Sequence, residues 1–243
     1  MKIIKLNAID STNSFLKDLV LNSHVENYTI ATTNNQTHGR GQQKATWFSE
    51  PFKNLTFSTF IRFKNFKIEH KRYLNFAISL AVFEVLYDKQ VEKLSIKWPN
   101  DILSANKKIC GILIENTFIG SSIKNSIIGI GLNVNQKVFL KNSPNATSLK
   151  LETGIYFDLD NLLQEVLKKI QEKIHLLESE KIHSLEQNYL EVLYKKNIPT
   201  MFKNSQDEIF MGKIIGISKL GNLLMELEDE SIKEFGLKEI SFL

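Results

Sequence analysis

Hydrophobic and polar residues repeat with two different periods along the first half of the chain, and together they predict an α+β fold. Strands are expected at residues 2–9, 28–33 and 54–63, which are short runs rich in β-branched and aromatic side chains. The alternation in 54–63 is typical of a strand with one fully buried face. Ser11 or Thr12 is placed to cap a helix that ends near Leu21. Residues 69–87 form an amphipathic helix, which we expect to pack across the sheet.

In the middle of the chain, the pattern of apolar and polar residues predicts closely spaced strands at residues 94–98, 101–105, 108–118 and 121–134. Polar turns separate them, so we expect a mixed, mostly antiparallel sheet packed by helices. From Asp158 to about Leu193 the pattern turns helical, with Asp158 or Asp160 as the cap.

Beyond residue 198 the pattern changes again, to short strands punctuated by glycines. This tail predicts a separate small β-barrel of about 45 residues. We place the boundary near Lys196, which gives a domain of residues 1–196 and a C-terminal domain of residues 197–243.

Composition describes an ordinary globular protein. The formal net charge is +4 and the pI is about 8.9, but the lysines are scattered along the chain. Such a diffuse charge does not argue for a nucleic-acid-binding protein. The chain turns polar after its first few residues and no long apolar stretch follows, so we expect neither a signal peptide nor a membrane span. We therefore expect a cytoplasmic location.

The chain has one cysteine, Cys110, which excludes an internal disulfide and a cysteine-based metal cluster. Cys110 lies in an apolar run. A buried thiol is therefore favoured over a nucleophile.

The segment from Gln36 to Trp47 carries the clearest chemical signal. It places Arg40 between Gly39 and Gly41 in a chain that has three arginines among 31 basic residues. Glycine lets the backbone approach a ligand, and a guanidinium offers a fork of donors that suits a carboxylate or phosphate. We expect this loop to bind an anion.

Four further segments carry polar groups at the ends of predicted strands or helices, as expected for residues that line a ligand pocket. They are residues 10–13, 97–101, 107–113 and 129–133. Each has a plainer interpretation when taken alone: a helix cap, a solvated turn, an edge lysine, and a G-x-G that lacks the rest of a dinucleotide motif.

Taken in order, these motifs resemble a known family, the biotin protein ligases. The stretches that carry the resemblance are STN, GRGQQKATWFSEPFKNLTFS, KWPNDIL, KKICGILIE, GIGLNVN and ATSL, from about Asp10 to Leu149. The resemblance implies a catalytic domain of the class II aminoacyl-tRNA-synthetase and biotin-ligase type, followed by an SH3-like C-terminal domain.

The resemblance also implies a two-step reaction. The biotin carboxylate attacks the α-phosphate of ATP to give biotinyl-5′-AMP and pyrophosphate, with Mg²⁺ expected. A lysine on the biotin carboxyl carrier domain of a biotin-dependent carboxylase then attacks the activated carbonyl. The site must bring the negatively charged biotin carboxylate next to the negatively charged phosphates of ATP, which requires positive charge. Lys108 and Arg40 are the expected catalytic cations.

Other roles follow residue by residue from the resemblance. The biotin-binding residues are expected to be Ser11, Thr12, Asn13, Gln36, Arg40, Gly41, Gln42, Lys108 and Gly111. The ATP- or adenylate-binding residues are expected to be Arg40, Trp47, Lys97, Asn100, Asp101, Lys108 and Asn133. The sequence names no metal ligand and no base for the amine step, although Asp101 is a candidate metal-linked carboxylate.

The chain departs from the family pattern in two ways. Many relatives have a basic residue at the position of Gln42 and a glycine at that of Lys44. The first motif begins at Asp10, so we expect no winged-helix DNA-binding domain and a ligase that does not bind DNA. A homodimer formed through a sheet edge is left open.

Two alternatives to a biotin ligase are considered. A lipoate-protein ligase shares the fold and the adenylation chemistry, but its acid needs no ureido partners. A non-catalytic carrier-binding module would keep the pocket without turnover.

Overall fold

The strands and helices that the sequence predicts occur in the same order in the structure. The computed structural model describes residues 1–139, 145–179 and 182–243, with Lys44 described by its backbone alone. The helices are α1 (Thr12–Asn22), α2 (Lys71–Asp88), α3 (Leu149–Thr153), α4 (Leu159–Glu178) and α5 (Ile182–Glu191). The strands of the first two-thirds are β1 (Lys2–Ile9), β2 (Thr29–Gln36), β3 (Gly39–Arg40), β4 (Thr46–Trp47), β5 (Leu55–Lys67), β6 (Leu94–Lys97), β7 (Asp101–Ser104), β8 (Lys107–Ile119) and β9 (Ser122–Leu132). Those of the C-terminal part are β10 (Pro199–Asn204), β11 (Ile209–Ile217), β12 (Leu223–Leu227), β13 (Ile232–Phe235) and β14 (Ile240–Phe242).

A seven-stranded sheet in the order β1-β2-β5-β9-β8-β7-β6 organises the larger part of the protein. Strands β1 and β2 are parallel, and every other pair of neighbours is antiparallel. The expectation of a mixed, mostly antiparallel sheet is confirmed.

One face of this sheet is covered by helices α2, α4 and α5. The apolar stripes of α4 and α5 pack around α2 in the largest hydrophobic cluster of the protein. Residues 76–82 of α2 are buried without a break, so this helix is covered on nearly every side, whereas its sequence pattern indicated an amphipathic helix. Phe76 of α2 and Tyr189 of α5 are fully buried in it and stack with ring centroids 4.1 Å apart. The predicted helical region from 158 to 193 contains two helices, and the first of them is capped by Asp158, whose Oδ1 accepts from the Asn161 amide at 2.8 Å.

The opposite face of the sheet is covered at one end by α1. Leu16 of this helix packs on Phe60 and Ile127 of the sheet in a second cluster. As a result, β5 is buried on both faces from Leu55 to Ile61, whereas its sequence pattern indicated one fully buried face. The difference arises because α1 and a polar pocket cover Thr56, Ser58 and Phe60.

The C-terminal strands form their own antiparallel sheet in the order β13-β12-β11-β10-β14, as expected for an SH3-like fold. Buried Phe202 and Met225 of this sheet belong to the same hydrophobic cluster as the central core. The Trp98 indole N–H donates to the Gly221 carbonyl at 2.9 Å. The two sheets therefore share apolar and polar contacts.

Cys110 is fully buried, which confirms the prediction of an internal thiol. Burial raises its pKa well above the usual range for a thiol. Since the thiolate is the nucleophilic form, Cys110 is unsuited to covalent catalysis. None of the helices in the described ranges has the length and apolar character needed to cross a membrane.

Replacing Phe76 with alanine should reduce the free energy of unfolding by about 3–5 kcal/mol, because it leaves a cavity beneath Tyr189. Urea denaturation would measure this. Tyr87 lies on the same helix with 68% of its surface exposed, so Tyr87→Ala should change stability by no more than about 0.5 kcal/mol. Equal losses for the two variants would contradict the packing described here.

Candidate active site

Small residues on neighbouring strands leave a hollow in the face of the sheet next to α1. Gly111, Gly131 and Thr56 lie directly opposite one another on β8, β9 and β5, and Gly129 and Ser58 form part of the adjacent row. Residues opposite one another share a face of the sheet. Because side chains at these five positions are small or absent, a cavity of about 250 Å³ lies above them.

The two glycines of the G-x-G motif make room for two specific side chains. A Cβ at Gly129 would overlap the Asn13 side chain, and a Cβ at Gly131 would overlap the Trp47 indole. Gly111 also lies against Trp47 and Lys108. This motif therefore serves side-chain packing over the sheet, which its spacing of two residues along a strand allows.

Polar groups line the end of the cavity at the start of α1. Ser11, Thr12 and Asn13 are each 3% exposed. Ser11 is the N-cap of α1, and the Thr12 amide donates to Gln36 Oε1 at 2.9 Å. Asn13 Oδ1 accepts from the Ser58 hydroxyl at 2.5 Å. Hydroxyls and amides that both donate and accept are thus gathered at one end of the cavity.

Lys108 and Asp101 form an ion pair at the other end, with Nζ and Oδ1 2.7 Å apart. The Lys108 ammonium also lies 5.5 Å from the centre of a Trp47 ring. Asn100 supports this corner, because its side-chain amide donates to the Ile112 carbonyl at 2.6 Å and so fixes the turn before Asp101. Both side chains are partly exposed, so the pair can reach a ligand.

Arg40, the last residue of β3, lies at the mouth of the cavity. Gly41 and Gln42, which follow β3, also line the cavity. The Arg40 guanidinium makes a two-pronged ion pair with Glu115, at 3.0 Å and 3.3 Å. Short strands β3 and β4 pair across the loop, with Gly39 opposite Trp47. The side chain of Lys44, which stands where many relatives have a glycine, lies outside the described part of the structure.

A second cavity of about 350 Å³ adjoins the first across Lys108 and Asp101, which line both. Its wall includes Trp47, Lys97 and Asn133. Trp47 Nε1 and Asn133 Oδ1 are buried and have no hydrogen-bond partner within the described parts of the chain. Both residues line this cavity, and a buried donor or acceptor without a partner is uncommon in a folded protein.

Lys97 is held in a partly apolar setting. Its ammonium lies 4.5 Å from the ring centre of Phe242, contributed by the C-terminal sheet. Burial lowers the pKa of Lys97, Asp101 opposes that shift, and the nearby charge of Lys108 adds to it. An anion bound here would relieve the repulsion between the two lysines.

Every residue that the sequence proposed for the site lines one of the two cavities. Lys97 and Asn133 line only the second. Sequence reasoning missed Thr56, Ser58 and Glu115. The small polar pair Thr56 and Ser58 had a detectable signal, since they alternate within an apolar strand, and Glu115 is the carboxylate that ends the apolar run after Gly111.

No cluster of three or more metal-ligating His, Cys, Asp or Glu side chains occurs in the described ranges. Asp101 is the carboxylate that lines both cavities.

Comparisons with known proteins identify similar chains. Residues 6–133 match the model of the biotin/lipoate A/B protein ligase family. The bifunctional ligase/repressor BirA of Escherichia coli K12 is 30% identical over 237 residues, covering 97% of this chain and 72% of that protein. The biotin–[acetyl-CoA-carboxylase] ligase of Mycobacterium tuberculosis is 28% identical over 60% of this chain and 53% of its own. The structure of biotin protein ligase from Aquifex aeolicus in complex with biotin and ATP is 28% identical, with a TM-score of 0.81 over 100% of this chain and 98% of that one.

Replacing Gly131 with alanine should push the Trp47 indole out of its place, because the new Cβ would overlap it. Acrylamide quenching of tryptophan fluorescence should increase. Gly216→Ala on β11 is the matched control, since a Cβ there meets nothing within 4 Å. Quenching that is the same in both variants would show that Gly131 does not make room for Trp47.

Proposed function

We propose that this chain, which belongs to the biotin/lipoate A/B protein ligase family, is a biotin protein ligase. It joins biotin to ATP as biotinyl-5′-AMP and then transfers biotin to a lysine of a biotin carboxyl carrier domain. The observation that carries the proposal is the meeting of two cavities at Lys108 and Asp101. One cavity ends in hydrogen-bonded polar groups, and the other is lined by Trp47 and Asn133, each of which has a buried polar atom without a partner.

The first cavity suits biotin. A ureido ring presents two N–H donors and one carbonyl acceptor, and Ser11, Thr12, Asn13 and Gln36 offer matching groups. The glycine rows leave space for the rest of the ring system, and the carboxylate would reach Lys108. Lipoate carries no ureido group, so it would form none of these hydrogen bonds, each of which is worth about 0.5–1.5 kcal/mol.

The second cavity suits the adenylate. Its buried, unpartnered Asn133 Oδ1 would accept from an exocyclic amine, and the Trp47 indole N–H would donate to the ligand. Lys97 and Lys108 would face the phosphates. Arg40, Gly41 and Gln42 lie at the mouth, where a loop can shield the reactive mixed anhydride from water.

In the first step, a biotin carboxylate oxygen attacks the α-phosphorus, and the bond to pyrophosphate breaks. Lys108 lies where the two cavities join, so its charge would draw both anions together and offset the charge that develops between them. Arg40 would add donors from the loop side. No side-chain nucleophile is needed.

Magnesium is proposed as the companion of ATP. Mg²⁺ keeps most of its waters and binds chiefly through phosphates and one or two carboxylates. Asp101 fits that limited role, because it is the single described carboxylate that lines both cavities.

In the second step, the neutral amine of the carrier lysine attacks the activated carbonyl, and AMP leaves. The carrier domain is the proposed protein partner. The cytoplasmic location and the absence of DNA binding stay predictions, and whether the protein forms a homodimer stays open.

Lys108→Ala should lower kcat/KM for biotin transfer to a carrier domain by at least about 100-fold, because it removes the cation at the reacting atoms. Lys107→Ala is the matched control, since Lys107 is the neighbouring lysine on β8 and is exposed. The control should stay within about twofold of wild type. A Lys108→Ala enzyme that transfers biotin at the normal rate would refute the catalytic assignment.

The two cavities should be separable by mutation. Asn13→Ala should raise the KM for biotin by about tenfold, the equivalent of one buried hydrogen bond. Lys97→Ala should instead raise the KM for ATP by about tenfold. Steady-state kinetics with each substrate varied would test this, and a reversed pattern would exchange the assignments of the cavities.

A further inference from the structure

We propose that Glu115 is a positioning residue for the adenylation step: it holds the Arg40 guanidinium over the first cavity and ties it to the biotin-binding floor. This inference rests on the proposed function. Glu115 lines a hollow on the outer side of the loop and does not line the first cavity. It would therefore act through other side chains and not on the substrate.

The contact between Arg40 and Glu115 has the geometry of a strong ion pair. Arg40 Nη2 donates to Oε1 at 3.0 Å, and Nη1 donates to Oε2 at 3.3 Å. The Glu115 side chain is 25% exposed and that of Arg40 is 44% exposed. Two parallel hydrogen bonds fix the plane of the guanidinium as well as its position.

The pair leaves Arg40 able to bind a ligand. A guanidinium has five N–H donors. Two of them are directed at Glu115, and a third points to the Ser14 hydroxyl at 3.4 Å. The remaining two donors, on Nε and Nη2, are available for a carboxylate or phosphate. Glu115 thus orients Arg40 without using all of its donors.

Glu115 is itself fixed by the floor of the cavity. Its Oε2 accepts from Asn13 Nδ2 at 2.9 Å, and Asn13 Oδ1 accepts from buried Ser58 at 2.5 Å. Asn13 has little freedom, because it is 3% exposed and fills the space above Gly129. A single carboxylate therefore links a proposed biotin-binding side chain to the arginine of a surface loop.

This linkage explains why a charged residue ends the apolar face of β8. Gly111, Leu113 and Glu115 alternate along the strand and point to the same face of the sheet. Without Glu115, Arg40 would depend on a two-residue strand for its position. With Glu115, its position is set by the rigid sheet, as an aligned catalytic group requires.

The first test asks whether Glu115 holds Arg40 in the ligand-free protein. Trypsin must bind a free arginine side chain, so limited proteolysis after Arg40 reports its release. Glu115→Gln keeps an acceptor for Asn13 but removes the charge, and we expect cleavage at Arg40 at least about fivefold faster than in wild type. The control is Glu226→Gln, which removes a half-exposed pair between strands, 2.7 Å from Lys213, and should leave this cleavage unchanged. An unchanged rate in Glu115→Gln would overturn the proposal.

The second test asks whether Glu115 acts through Arg40. In biotin-dependent pyrophosphate exchange, Glu115→Gln should lower kcat by about tenfold and change the KM for biotin by less than about twofold. In an Arg40→Ala background the same substitution should lower kcat by less than about twofold, since the group it positions is gone. A tenfold loss that persists in the Arg40→Ala background would assign Glu115 a purely structural role and overturn the proposal.

These two tests separate this inference from the proposed function. A wild-type protein that shows no biotin-dependent exchange would refute the proposed function. The proteolysis result would still show whether Glu115 holds Arg40. Normal exchange in wild type and in Glu115→Gln would leave the proposed function intact and refute the role of Glu115.

Discussion

The candidate site depends on the absence of side chains from one patch of the sheet. Gly111 and Gly131 face each other across β8 and β9, and Gly129 follows in the next row. Larger residues at these positions would fill the space now occupied by Asn13, Trp47 and the cavity. Glycine normally weakens a strand. Here the cost is offset by the packed helices on the opposite face of the sheet, and the patch lets a helix start and a surface loop converge on the same strands.

The charges of the site follow from that geometry. Lys108 is paired with Asp101 and Arg40 with Glu115, so each described cation at the first cavity has a carboxylate partner. Unpaired cations in a partly buried site would be costly. Paired cations can be kept in place and still donate to a bound anion. The chemistry proposed here needs this, because its reactants are a carboxylate and a polyphosphate and its intermediate must be retained for a second reaction.

The sequence predicted most of the elements and the membership of the site, but not its internal contacts. Helices α1, α2 and α4 were predictable because apolar side chains at helical spacing are local signals, as are the polar caps of α1 and α4. The residues that line the cavities were predictable because polar groups at strand ends, at the start of α1 and in the Arg40 loop form motifs that resemble those of the biotin protein ligases. The Arg40–Glu115 pair was not, since it joins residues 75 positions apart and depends on strand register. The burial of Thr56 and Ser58 was missed for the same reason: it requires knowing that α1 and the pocket cover the second face of β5.

The central claim is that the polar end of the first cavity selects an acid with a ureido ring for activation by ATP. Isotope exchange between pyrophosphate and ATP tests it most directly, with biotin and lipoate compared as the acid. A site built to satisfy ureido hydrogen bonds should support exchange with biotin at least about 1,000-fold more efficiently than with lipoate. Exchange that proceeds with lipoate and not with biotin, or that needs neither acid, would contradict the account.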